Sequence, residues 1–152
     1  MLTGTACGDG GKVSESDYLK AVEKFTRCLT DHGVEVVNHG WDPVNHLQVS
    51  LSYAADEAAG EPNQQGMQCE DKHLTQVSIA YADQATAVMA ADLRHFVRSC
   101  LADKGISIPS TVTNLGGFLA SAGASGEELV YTCVTDGLAK HYPDVPPILG
   151  TR

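Results

Sequence analysis

The strongest constraint on this chain is a segment that occurs twice, each time around a cysteine. Phe25-Thr-Arg-Cys28-Leu29-Thr-Asp31-His32-Gly33-Val34 returns as Phe96-Val-Arg-Ser-Cys100-Leu101-Ala-Asp103-Lys104-Gly105-Ile106. With the cysteines superposed, Leu29 meets Leu101, Asp31 meets Asp103, Gly33 meets Gly105 and Val34 meets Ile106. A shared cysteine with four matching neighbours indicates an internal duplication.

Each copy has the pattern of a helix that is ending. Ala21, Val22, Phe25, Cys28 and Leu29 fall on one face at helical spacing, and Leu93, Phe96, Val97, Cys100 and Leu101 form a second stripe. Ser14 and Asp17 have the spacing of a capping box at the start of the first helix. Gly33 and Gly105 supply the left-handed residue that closes a helix. A further cysteine follows each copy, Cys69 after Cys28 and Cys133 after Cys100, and each later cysteine has a leucine five residues on, at Leu74 and Leu138. Cys133 falls in a third apolar stripe with Val130, Val134, Gly137 and Leu138. Ser125 and Glu128 predict a capping box at the start of this helix, and Pro143 predicts its end.

Four cysteines allow three pairings. Symmetry favours Cys28–Cys69 with Cys100–Cys133, one bridge for each copy. Each would stabilise the fold by roughly 4 kcal/mol through loop closure. Zinc knuckles and thioredoxin-like sites need cysteines two to four residues apart, and no such pair occurs. Structural disulfides, and hence an oxidising compartment outside the cytoplasm, are the expectation.

The chain between the copies contains strand features at Val34–Val37 and at His46–Tyr53. In the second, Leu47, Val49, Leu51 and Tyr53 alternate with polar residues and are expected to face inward. Trp41-Asp42-Pro43 forms the turn between them. Residues 54–68 read as an exposed loop that can include one helical turn, and residues 70–104 read as helical with a break near Asp83–Thr86. Ser107–Gly123, containing Asn114-Leu-Gly-Gly-Phe-Leu119, reads as a connection. The expected fold is mainly α: four to five helices in two pseudo-repeated, disulfide-stapled halves, with a small β element. Residues 1–15 form a tether and residues 16–143 one helical domain, with halves at about 16–82 and 86–143. Residues 144–152 form an extended tail.

The fifth cysteine stands apart. Gly4-Thr-Ala-Cys7, followed by Gly-Asp-Gly-Gly, resembles the lipobox of bacterial lipoproteins, in which the cysteine thiol carries a diacylglycerol. Gly4 departs from that pattern, where leucine is usual, and neither a basic n-region nor an apolar h-region accompanies it. The resemblance makes Cys7 the lipidation site, with Gly8, Gly10, Gly11 and Ser14 as a flexible tether. Localisation at the outer face of the cell membrane follows from that anchor.

Composition narrows the partners. There are 10 Lys plus Arg against 19 Asp plus Glu, a formal net charge of −9. No basic cluster is present to neutralise phosphates, so nucleic acid is not an expected partner. Apolar runs are far shorter than the ~20 residues a membrane-spanning helix requires. Of the six histidines, His32, His39 and His46 recur every seventh residue but fall on a helix end, a turn and a strand start. Surface histidines, no metal site and no cofactor are the expectation. No nucleophile elbow, His-Glu-x-x-His motif or phosphate-cradling glycine loop is present, so no catalytic residues and no enzyme activity are expected.

Binding remains. Trp41, Tyr53, Leu115, Phe118 and Leu119 lie in segments expected to be irregular or edge-like, where large apolar side chains are candidates for contacting a ligand. On an acidic body they suit an amphipathic, weakly cationic peptide.

The aromatic-x-x-Cys-Leu-x-x-His-Gly-Val segment at Phe25–Val34, with its downstream cysteine, resembles a group of small actinobacterial exported lipoproteins. The likeness covers residues 18–74 and reaches the second half only through the repeat. Within that group, a duplicated, acidic, lipobox-bearing domain is similar to the self-resistance (immunity) lipoproteins of lantibiotic producers. The resemblance implies a monomeric, membrane-anchored protein that binds a peptide antibiotic. The competing expectation is a structural or assembly lipoprotein of the envelope whose partner is another protein.

Overall fold

The computed structural model describes residues 11–53 and 64–146. They fall into two compact units. One runs to Val37 and resumes from Tyr53 to Thr86; the other takes Asn38–Ser52 and the described chain from Ala87 onward. The fold is mainly helical, with a small two-stranded sheet and two disulfides. Six α-helices occur among the described residues, where four or five were expected.

In the first unit, α1 spans Glu15–Asp31 and opens with the expected capping box. Ser14 Oγ accepts from the Asp17 N–H at 3.1 Å, and the Asp17 carboxylate accepts from the Ser14 N–H at 3.1 Å. The Ser14 hydroxyl, which also donates to that carboxylate, holds Asp17 below its ordinary carboxyl range. The helix ends at Gly33, where φ is +78°. Val34 N donates to Leu29 O and Gly33 N to Thr30 O, both at 3.0 Å, the paired bonds of a Schellman ending.

α1 buries Tyr18, Ala21, Val22, Phe25 and Leu29. Its Cys28 is bonded to Cys69 on α2 (Gln64–His73), with Cα atoms 5.8 Å apart. α3 (Thr75–Gln84) follows directly, and its Tyr81 stacks on Tyr18 at 4.9 Å between ring centroids. The described part of α2 thus takes in Gln64–Gln68, the end of the 54–68 stretch expected to be a loop with at most one helical turn, and the break near Asp83–Thr86 is found where α3 ends. Burial of Gly66 and Cys69 accounts for helix at Gln64–Gln68, because the packed face overrides weak local propensity.

In the second unit, α4 (Ala91–Asp103) repeats the α1 pattern. Aligned on the cysteines, buried Ala21, Phe25 and Leu29 correspond to buried Leu93, Val97 and Leu101. The ending repeats bond for bond: Ile106 N donates to Leu101 O and Gly105 N to Ala102 O, both at 2.9 Å, with Gly105 at φ +83°. Cys100 is bonded to Cys133 on α6 (Glu127–His141), again with Cα atoms 5.8 Å apart. The pairing preferred from symmetry is the one observed.

Four further details differ from what the sequence leads one to expect. Leu115–Ala122, expected to be part of a connection, is α5, capped by Asn114, whose side chain accepts from Gly117 N at 2.8 Å. The Ser125–Glu128 capping box does not form; a 3₁₀ turn at Ala124–Gly126 leads straight into α6. Gly126 is buried there, since a Cβ on it would sit 2.8 Å from Ala122 Cβ, and this packing sets where α6 begins. The chain after α6 turns instead of extending, with Val145 N donating to Tyr142 O at 3.1 Å.

The fourth difference concerns the strands, β1 (Val36–Trp41) and β2 (Val49–Tyr53). Their connection, residues 42–48, is shorter than the dozen or so a parallel crossover needs, so the pair is antiparallel. Ser50 is the buried residue of β2, whereas Val49 and Leu51 are half-buried and Tyr53 is exposed. A ribbon of two strands has too little surface to bury an alternating apolar face. The connection is held by Ala90 N donating to Pro43 O at 2.8 Å and Val88 N to Asn45 O at 3.0 Å. These bonds, with Val44 in the core beside Leu93 and Phe118, explain why Asn38–Ser52 belongs to the second unit.

Candidate functional site

α6 is two-sided. Val130, Cys133, Val134 and Gly137 face the core. Glu127, Glu128, Tyr131, Thr132, Thr135 and Asp136 recur at the i, i+4 spacing of the opposite face and, with Ala124, line an open groove of about 580 Å³. Thr132 Oγ1 donates back to Glu128 O and Thr135 Oγ1 to Tyr131 O, each at 2.9 Å. The two hydroxyl protons are thereby spent on the helix backbone. The groove presents three exposed carboxylates beside one half-buried tyrosine ring. Glu127 and Glu128 also lie in the first turn, where the helix dipole favours negative charge. Among the described residues, no cation is paired with any of the three carboxylates.

The residues expected to contact a ligand are dispersed. Phe118 is fully buried, with the Arg98 guanidinium 5.5 Å from its ring centroid, so it offers no ligand surface. It was expected in an irregular segment; the α5 helix instead turns it into the core. Leu115 and Leu119 are half-buried and pack against the same core. Trp41 is half-buried, its ring stacked on His46 at 4.3 Å. Tyr53 belongs to the first unit, exposed and edge-on to Phe25 at 5.9 Å. Burial and a nearby Glu70 push its hydroxyl above the ordinary tyrosine range. Cys7 and its tether as far as Gly10 lie outside the described residues.

The three evenly spaced histidines serve three separate purposes. His32 Nδ1 meets Cys28 O at 2.7 Å, His39 Nε2 meets Ser52 Oγ at 2.7 Å, and His46 stacks on Trp41. Among the described residues, one group of potential metal ligands gathers closely: Cys28, Cys69 and His32, whose ligand atoms all lie within 4.8 Å of one another. The α6 face carries no cluster of large apolar residues that would mark it in the sequence. The recurrence of Glu127, Tyr131 and Thr135 at every fourth residue was the signal that could have found it.

Comparison with protein-family models, curated proteins and solved structures finds no match. The two disulfides indicate an extracytoplasmic environment. No helix among the described residues is long and apolar enough to cross a membrane.

Proposed function

We propose that the protein is an extracytoplasmic lipoprotein, anchored through a diacylglycerol on Cys7, that binds a cationic peptide along the outer face of α6. The observation that carries this reading is the α6 groove, with Glu127, Glu128 and Asp136 unpaired around Tyr131. A peptide bearing lysines would gain attraction to three carboxylates and apolar contact with one aromatic ring. The overall charge of −9 would speed its approach. The resemblance to lantibiotic self-resistance lipoproteins suggests the ligand class, a membrane-active peptide antibiotic bound before it reaches the lipid.

The test is an amide chemical-shift titration of the soluble protein with a cationic lantibiotic. Shift changes confined to Ala124–Asp136 are expected, weakening as salt is raised. Replacing Glu127 and Glu128 by glutamine and Asp136 by asparagine should lower the affinity about tenfold or more, at roughly 0.5–1 kcal/mol per exposed charge. No localised change at ligand concentrations well above micromolar would refute the reading.

A further inference from the structure

The two disulfides share their helix endings but not their neighbours. The residue that caps the helix, four positions after the first cysteine, is His32 in one copy and Lys104 in the other. Both make the same backbone bonds, His32 N to Leu29 O and Lys104 N to Leu101 O, each at 3.0 Å. The helix ending therefore does not require histidine. What the histidine adds is a ring nitrogen within 4.8 Å of both sulfurs of the Cys28–Cys69 bridge.

The ring is already set in one orientation. Nδ1 lies 2.7 Å from the Cys28 carbonyl oxygen, which can only accept, so Nδ1 is the donor. In the neutral ring that leaves the lone pair on Nε2. Metal-binding histidines characteristically donate their other ring N–H to a backbone carbonyl or carboxylate in this way. Cys69 has a matching residue: His73 follows it by four positions on α2 and shares its helix face. Cys-x-x-x-His thus occurs on both bridged helices of the first unit. In the second unit Lys104 and Gly137 hold the corresponding positions.

We propose that Cys28, Cys69 and His32 form a redox-gated site for a zinc-class transition-metal ion, with His73 or water in the fourth position. In the oxidised protein the sulfurs are bonded to each other and cannot act as thiolates. A dithiol reductant opens the bridge: two electrons and two protons pass to the sulfurs, and the dithiol becomes a disulfide. The ion then displaces both thiol protons to solvent and is held by two thiolates and the His32 imidazole. Two sulfurs and one nitrogen suit a borderline-soft ion such as Zn²⁺ and discriminate against Mg²⁺ and Ca²⁺. Cys28 is half-buried, which gives a reductant a sulfur to attack, and metal binding restores the cross-link between α1 and α2 that reduction removes.

The experiment uses the full chain carrying Cys7→Ser, reduced with a phosphine, desalted without oxygen and titrated with Co²⁺ as the spectroscopic probe. A thiolate-to-cobalt charge-transfer band with tetrahedral d–d bands is expected at one ion per chain, absent from the oxidised protein and abolished by Zn²⁺. The bands should persist in Cys100→Ser/Cys133→Ser and disappear in Cys28→Ser/Cys69→Ser. His32 is exposed, so His32→Asn should leave the circular dichroism of the oxidised protein unchanged while weakening cobalt affinity at least about tenfold. Absence of the bands in the reduced protein, their survival without Cys28 and Cys69, or unchanged affinity in His32→Asn would each overturn the proposal. None of these outcomes bears on peptide binding at α6.

Discussion

Gly137 on α6 faces Leu93 on α4 so closely that a Cβ placed on the glycine would lie 2.7 Å from Leu93 Cδ1 and 2.8 Å from Phe96 Cδ1. Leu93 is fully buried, so a Cβ at this position forces its side chain or the Phe96 ring to shift within the packed interface. Alanine in place of this glycine would gain about 1 kcal/mol in helix propensity. Overpacking of a close-fitting core costs typically ~1–3 kcal/mol. The expected net effect of Gly137→Ala is a loss of about 1 kcal/mol, measured as a lower urea midpoint with an unchanged slope.

The two bridges close loops of 41 and 33 residues, so chain entropy predicts nearly equal contributions. Removing either pair with alanine or serine should cost about 4 kcal/mol, with less than ~0.5 kcal/mol between them. Equilibrium unfolding of the two double variants checks this directly. A much smaller loss for one pair would mean that its unfolded segment retains structure.

Gly33 and Gly105 sit at φ +78° and +83° with nothing within 4 Å of where a Cβ would be. The cost of alanine there is therefore purely conformational, about 1 kcal/mol at each site. Asparagine, which tolerates the left-handed region, should cost less than alanine at both positions. Thermal melts of the four single variants would show that order, and the two sites should behave alike because their helix endings share the same bonds.

The Tyr142 hydroxyl donates to the Asp92 carboxylate within the second unit. Desolvation first, and then this bond, push the Tyr142 hydroxyl up to about 12. The bond holds Asp92 below its ordinary value. For the raised tyrosine, the stabilisation is complete below about pH 10 and is lost as pH climbs toward 12. For the lowered aspartate, it is present at neutral pH and lost as pH falls through and below the ordinary carboxyl value of 3.8. Tyr142→Phe should thus lower stability by up to about 1 kcal/mol near pH 7. The difference from the parent protein should shrink in acid. Unfolding curves at pH 7 and pH 3 are the measurement, and an equal difference at both would exclude a role for the carboxylate.

Much of this architecture is legible in the amino-acid sequence. The duplicated Cys-Leu-x-Asp-x-Gly pattern located two helix endings, and symmetry selected the observed cysteine pairing from three. Ser14 and Asp17 announced the start of α1, because a capping box depends only on residues within one turn. Features of this kind are local, and the same side chains that encode them also satisfy them.

Features that depend on distant parts of the chain are not legible in this way. The Gly116-Gly117 pair hid α5, a helix that is stabilised by burying Phe118 in a core supplied by distant α4 and α6. Ser125 and Glu128 had the spacing of a cap, yet the close packing of Gly126 on Ala122 and Ile106 moved the start of α6. The Cys28–Cys69 bridge was legible from symmetry, but the placing of the His32 ring beside both sulfurs was not, since it depends on how α2 packs against the end of α1. Helix endings and the equivalence of the cysteines are encoded locally, because backbone hydrogen bonding over a few residues decides the first and duplication the second. Only the tertiary structure decided which faces are buried and which groups share a site, because burial is a property of partners that arrive from elsewhere in the chain.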